Sequence, residues 1–167
     1  VLEKMTDYDR VKSLHDYVVN EFNYDEELIN KTAYSMIENE TGVCSAYTQA
    51  LYALLNAAGY ECRIVQNDAT ATPLSGKEAA HAWVMVKLYD NWYHIDPTWD
   101  DPVLVDGSHK LVYDYFLLSD DEMKADHKWS DIYPKATESY DEDAEREKTT
   151  PAKTPFRDLA NFPNKLQ

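Results

Sequence analysis

Two apolar runs, HAWVMVKL (81–88) and WYHID (92–96), flank Tyr89-Asp90-Asn91, and nothing else in the chain constrains its fold so strongly. Both runs are rich in β-branched and aromatic residues, and the residues between them have turn composition. They predict an antiparallel hairpin. Such a pair fixes faces as well as strands, because residues opposite one another share a face. With a two-residue turn at Tyr89-Asp90, Asp96 stands opposite Trp83 and His81 is its diagonal neighbour. Diagonal Cβ atoms lie somewhat under ~7–8 Å apart, within reach of these side chains. With the turn at Asp90-Asn91, Asp96 moves opposite Met85, too far from His81. The register decides whether a histidine and a carboxylate meet.

Helical periodicity supplies the second layer. Val11, Leu14, Val18, Val19 and Phe22 recur at spacings of three and four over Tyr8–Phe22, with Thr6 or Asp7 as cap. A short helix is predicted over Thr32–Glu38, broken by the loop Asn39–Gly42. The strongest helix spans residues 43–60, where Tyr47, Leu51, Leu54, Leu55 and Ala58 form one stripe. Gly59 sits where a helix C′ residue belongs. Strands are predicted at 61–66 and Leu111–Leu118, and Ser119-Asp120-Asp121-Glu122 matches a capping box opening a short helix. Residues 68–80 are small and polar and predict a mobile loop. The fold class is α+β, with a cysteine-bearing helix packed on an antiparallel sheet. Residues 1–135 form the expected core. Residues 136–167 form an acidic, Pro/Thr-containing tail or linker, in which Phe156, Leu159 and Phe162 could dock onto that core.

The net charge of −15 argues against nucleic acid and anionic membrane surfaces as partners, since both select basic patches. No stretch approaches the ~20 apolar residues of a membrane span, so no membrane insertion is expected. Two cysteines among 167 residues make neither a disulfide framework nor a four-cysteine zinc site. The first residue is Val1, so the chain reads as part of a larger multidomain protein.

Three neighbourhoods carry chemistry: GVCSAY around Cys44, HAW around His81 and IDPTWDDP around Asp96. A cysteine attacks as thiolate, and its ordinary pKa of about 8.5 falls at a helix N-terminus, where unpaired N–H groups and the macrodipole favour an anion. Cys44 lies in such a first turn. A histidine oriented by a carboxylate completes an ion pair with it. The protein's negative field opposes a lone thiolate and favours protonated His81, so the thiolate should exist mainly as a pair with His81. Each residue also has a plainer reading: Cys44 as a small buried helix residue, His81 as a core histidine, and Asp96 as a strand stop before Pro97. Cys62 reads as a packed thiol, although a Cys44–Cys62 disulfide stays open. His94 reads as packing or as a partner behind the site. Trp83, Trp92 and Trp99 read as site wall and core. The cluster DPTWDDPVLVD lacks calcium-loop spacing, and Cys44, His81, His94 and Asp96 lack structural-zinc spacing. Neither metal nor cofactor is expected.

The three blocks G-V-C-x-x-Y, H-A-W and W-Y-H-x-D-x-T-W-D-D-P, in this order, resemble the transglutaminase-like superfamily. More specifically, they resemble its bacterial transglutaminase/protease-like branch. The similarity runs from Tyr8 to Pro134 and includes Ala33-Tyr34 and the Y-F-L-L-S-D of Tyr115–Asp120. The resemblance implies a papain-like fold in which Cys44 is the nucleophile, His81 the general base and later acid, and Asp96 the residue that orients His81. It also implies oxyanion-hole donors at the Cys44 N–H and Tyr34. Val43 stands where the animal cross-linking enzymes have Gln, and Ala46 where this branch often has Gly. The implied activity is acyl transfer on the amide of a protein or peptide substrate, with peptidase or amidase hydrolysis favoured slightly over transamidation. The implied location is extracellular or on a bacterial cell surface. The competing reading is a non-catalytic binding or scaffold module of a larger cell-surface protein that keeps the fold.

Overall fold

The computed structural model describes residues 5–67, 80–104, 108 and 110–141. In chain order these build α1 (Asp7–Glu21), β1 (Asn23–Tyr24), α2 (Ala33–Asn39), β2 (Thr41–Gly42) and α3 (Cys44–Ala57). There follow β3 (Cys62–Gln66), β4 (Ala82–Leu88), β5 (Asn91–Ile95), β6 (Phe116–Leu118) and α4 (Asp120–Met123). Strands β3 to β6 form one antiparallel sheet in sequential order, and β1 and β2 form a separate parallel pair. The class is α+β.

Local chemistry accounts for the helix ends. Thr6, Thr32 and Ser119 each close a capping box, with Asp9, Ser35 and Glu122 respectively, so N-terminal N–H groups find side-chain acceptors. Gly59 takes φ 95° just beyond α3, a left-handed conformation that costs glycine nothing, while Tyr60 N–H returns to Leu55 O. The α2 helix ends on left-handed Glu40, φ 60°. The chain then re-enters as β2, pairing Asn23 with Thr41 and Tyr24 with Gly42. This pair of two-residue strands is too short for any periodicity to reveal.

The hairpin takes the register that joins the histidine to the carboxylate. Leu88 pairs with Asn91, leaving Tyr89-Asp90 as the turn, and Val84 pairs with Ile95, which sets Trp83 opposite Asp96. The β4 strand is buried on both faces. Toward α3, Val84, Val86 and Leu88 join Tyr47, Leu51 and Leu55 in the main core. Full burial of each such side chain contributes about 1.5–3 kcal/mol. On the opposite face Trp83 and Met85 join Val65, Met123 and Ala136, covered by Trp92, Tyr115, Leu118, Trp129 and Tyr133.

The last strand departs from expectation. Of the predicted Leu111–Leu118, only Phe116–Leu118 pairs with β5, because the Asp100 region captures the rest: Val112 N–H donates to Asp100 O and Tyr115 N–H to Asp100 Oδ1. A bulge lies between His94 and Ile95, whose partners are Leu118 and Phe116. The skipped residue, Leu117, sits at φ 57°. Packing also continues past residue 135, where the sequence pattern ends the core. Ala136 is 1% exposed and exchanges hydrogen bonds with Asp120, and the Tyr140 ring stacks on Tyr8 at 5.2 Å. Most of the loop expected at 68–80 (residues 68–79), and the docking expected of Phe156, Leu159 and Phe162, lie outside the described residues.

Candidate active site

Cys44 is the first residue of α3. Its N-cap, Val43, offers no side-chain acceptor, so the helix's leading N–H groups and positive dipole end face the thiol rather than a capping oxygen. Gly42 sets this helix end in place through close approach. A Cβ there would stand 2.6 Å from Met36 Sδ and 2.8 Å from Ala46 Cβ. Asn30 O accepts from Val43 N–H at 3.0 Å and Lys31 O from Ser45 Oγ at 2.7 Å, so the loop before α2 also grips the turn. Both cysteines are free, so the open question of a Cys44–Cys62 bridge is answered in the negative. Cys62 is 2% exposed and burial pushes its thiol up to about 11, which disfavours its thiolate.

His81 immediately precedes β4. Asn67 pins its backbone from both sides: Asn67 Oδ1 accepts from His81 N–H at 2.9 Å and Asn67 N–H donates to His81 O at 3.0 Å. Its Nε2 bonds Asp96 Oδ2, which leaves Nδ1 for the thiol. Asp96 follows β5 and is fully buried. Its Oδ1 accepts from the N–H groups of Thr98 (3.1 Å) and Trp99 (3.2 Å). Two backbone donors thus hold one oxygen of the carboxylate, and the His81 imidazole meets the other. Burial opposes its charge, but the charge of His81 and the imidazole hydrogen bonds prevail and hold Asp96 at about 2.

The same balance runs through the group. Burial disfavours the His81 imidazolium, yet the charge and hydrogen bond of Asp96, followed by those of Cys44, raise it to about 10. Burial pushes the Cys44 thiol up, but the His81 hydrogen bond and charge and a backbone bond from Ala82 outweigh it, and the net shift is downward. The three residues singled out in the sequence are thus brought together.

Tyr34 is not brought to them: it lies on α2, 60% exposed. The tyrosine in electrostatic reach of the thiol is Tyr24 on β1, whose pKa is raised by burial first and then by the charges of Cys44 and Asp25. A short strand far upstream of Cys44 gave no sequence signal for it. His94 is buried packing. Trp83 Nε1 donates to its Nδ1 at 2.9 Å, so its proton sits on Nε2, facing Asp120 Oδ1 at 2.9 Å. Trp83 and Trp99 wall the His81 ring at centroid distances of 5.8 and 5.5 Å, while Trp92 lies under Arg63. The residue that sequence reasoning missed is His127, whose Nε2 bonds Asp96 Oδ2 at 2.9 Å. It follows a four-residue helix and belongs to no periodic pattern. Its one trace in the sequence is its place in Asp126-His127-Lys128-Trp129, after a capped turn.

His81, Asp96 and His127 offer three ligand atoms within 4.8 Å of one another, a set chemically able to hold a divalent metal. In the structure these atoms are engaged in the two hydrogen bonds just described.

The profile of the Transglutaminase-like superfamily matches residues 1–97, a span that includes Cys44, His81 and Asp96. No curated protein matches the chain. Among solved structures, a candidate cysteine protease from Cytophaga hutchinsonii is similar at 23% identity and TM-score 0.44, over 55% of this chain and 31% of its own. A protein described as a TGase is similar at 16% identity and TM-score 0.48, over 86% and 40%. The periplasmic domain of TgpA from Pseudomonas aeruginosa, bound to ethylmercury, is similar at 24% identity and TM-score 0.45, over 56% and 38%. The chain therefore spans less than half the length of each of these three structures. With more than half of its length matched by the family profile, the chain belongs to the transglutaminase-like superfamily.

Proposed function

We propose that the protein is a cysteine-dependent acyl-transfer enzyme acting on amides of proteins or peptides, with Cys44, His81 and Asp96 as its triad. The observation that carries this reading is His81 set between a thiol of lowered pKa and a buried carboxylate. The Cys44 thiolate adds to the amide carbonyl carbon. The oxygen takes up the negative charge, facing the N–H groups that open α3 and the Tyr24 hydroxyl. The intermediate collapses as the C–N bond breaks, and His81 gives its proton to the leaving amine. The thioester on Cys44 then yields to water, which loses its proton to His81, and the acid leaves as the thiol is regenerated. Asp96 keeps its charge throughout and fixes the ring that passes the proton. Hydrolysis is favoured over transfer to an amine, on the absence of Gln before Cys44. The catalytic unit extends at least to Ala136, since α4 and the segment after it cover the face of the sheet that carries Trp83.

The test is labelling with iodoacetamide. Wild-type protein should give one adduct, at Cys44, with Cys62 unmodified. His81→Ala should lower the labelling rate at neutral pH by roughly tenfold or more, because the thiol loses the imidazolium that favours its thiolate. Equal rates in the two proteins would sink the triad and favour a scaffold module. Ammonia release from glutaminyl peptides, with and without an added primary amine, then separates hydrolase from transferase.

A further inference from the structure

Both ring nitrogens of His127 face carboxylates. Nε2 donates to Asp96 Oδ2 at 2.9 Å, and Nδ1 meets Asp126 Oδ1 at 2.6 Å. Asp126 is fixed in turn by the Tyr115 hydroxyl, which donates to its Oδ2 at 2.5 Å. The His127 ring is 4% exposed and is held by Trp99, Trp83 and Tyr115 at centroid distances of 4.3, 4.9 and 5.3 Å. Its backbone N–H is tied to Met123 O, in the helix that Ser119 caps. The ring therefore has a fixed place and a fixed orientation, and it shares with His81 the same oxygen of Asp96.

We propose that His127 is a positioning residue of the triad, which clamps Asp96 Oδ2 against His81 and is itself braced by Asp126 and Tyr115. The proposal rests on the assignment of Cys44, His81 and Asp96 made above. Two backbone donors fix one oxygen of Asp96, but they leave the carboxylate free to tip about that oxygen. A second donor on Oδ2, arriving from the segment after α4, removes this freedom. The line Tyr115–Asp126–His127–Asp96–His81 then carries the alignment of the thiol's base into a part of the chain far from Cys44 in sequence. The titratable groups facing His127 are Asp96 after β5, His81 before β4, Asp126 beside it and Tyr115 behind Asp126, with His94 on β5 in electrostatic reach.

The experiment measures the pH midpoint of Cys44 alkylation by iodoacetamide in the whole protein. Gln places its amide N–H where His carries Nε2, whereas Phe keeps the aromatic volume and donates nothing. In His127→Phe the midpoint should rise by about one unit, a tenfold loss of thiolate at a pH below it. In His127→Gln it should return to within a few tenths of wild type, at equal thermal stability of the two variants. Asp126→Asn should move it in the same direction by less. An unchanged midpoint in His127→Phe, or Gln no better than Phe, overturns the proposal. If His127→Phe does not fold, His127→Gln and Asp126→Asn decide: midpoints ordered wild type, Gln, then Asn support the clamp, and any other order overturns it. His81→Ala separates the two claims. If it shifts the midpoint while the His127 variants do not, only the clamp falls. If it shifts nothing, the triad falls and the clamp with it.

Discussion

Val84, Val86 and Leu88 of β4 meet α3, while Trp83 and Met85 of the same strand meet a layer of rings from the C-terminal segment. The first face is aliphatic against a helix stripe. Its attraction is proportional to buried area and has no preferred direction, so it selects the fold without fixing any atom closely. The second face carries the polar contacts nearest the site: Trp83 to His94, His94 to Asp120, and His127 and His81 to Asp96. Directional bonds in a buried setting fix orientation, and every partner must be present. One side of the sheet thus supplies stability, and the other aligns the side chains of the proposed triad. Cys44 and His81 meet at the end of the sheet where the two faces join.

That division can be broken. The largest expected effect is on stability: Leu51→Ala, in the aliphatic face, should cost about 2–5 kcal/mol in denaturant unfolding, yet leave the pH midpoint of Cys44 alkylation unmoved. A moved midpoint would show that the faces are not independent. Next comes the pH dependence of stability. His81 has a pKa of 6.5 in ordinary surroundings and about 10 in the fold. Its stabilisation is complete below 6.5 and is lost as pH rises toward 10. Wild type should therefore lose stability across that window that His81→Ala does not lose, measured by urea unfolding at a series of pH values. Parallel curves would contradict the folded-state imidazolium. The smallest effect is expected of Gly42→Ala, at the junction of the faces. Its Cβ pushes on Met36 and Ala46, at a cost of about 1–2 kcal/mol. Because α3 starts there, it should slow Cys44 labelling as well; stability lost with labelling intact would detach Gly42 from the site.

The aliphatic face was legible in the sequence, because its residues repeat at 3.6 on α3 and at 2 on β4. The hairpin was legible from the same regularity, but its register was not: turns at Tyr89-Asp90 and at Asp90-Asn91 both suit the sequence, and the pairing of Leu88 with Asn91 decides between them. The aromatic face was not legible beyond its tryptophans. Its members come from residues 65 to 136 and are joined by side-chain bonds that leave no period, so His127 and Asp120 gave no sign of their partners. Tyr34, which the resemblance implies as an oxyanion-hole donor, lies 60% exposed on α2. The parallel pairing of β1 with β2 instead carries Tyr24 toward the thiol.

The two-residue turn at Tyr89-Asp90 has a consequence for the newly made chain. Cys44 leaves the ribosome well before His81 and Asp96, and for that interval its thiol lacks the base proposed for it. It gains that base only when the hairpin closes in the correct register. A slip of one residue both turns Val84 and Val86 away from α3 and parts His81 from Asp96. A misfolded copy of this chain is therefore also a disarmed one, and the chemistry proposed for Cys44 is withheld until the sheet beneath it has been assembled correctly.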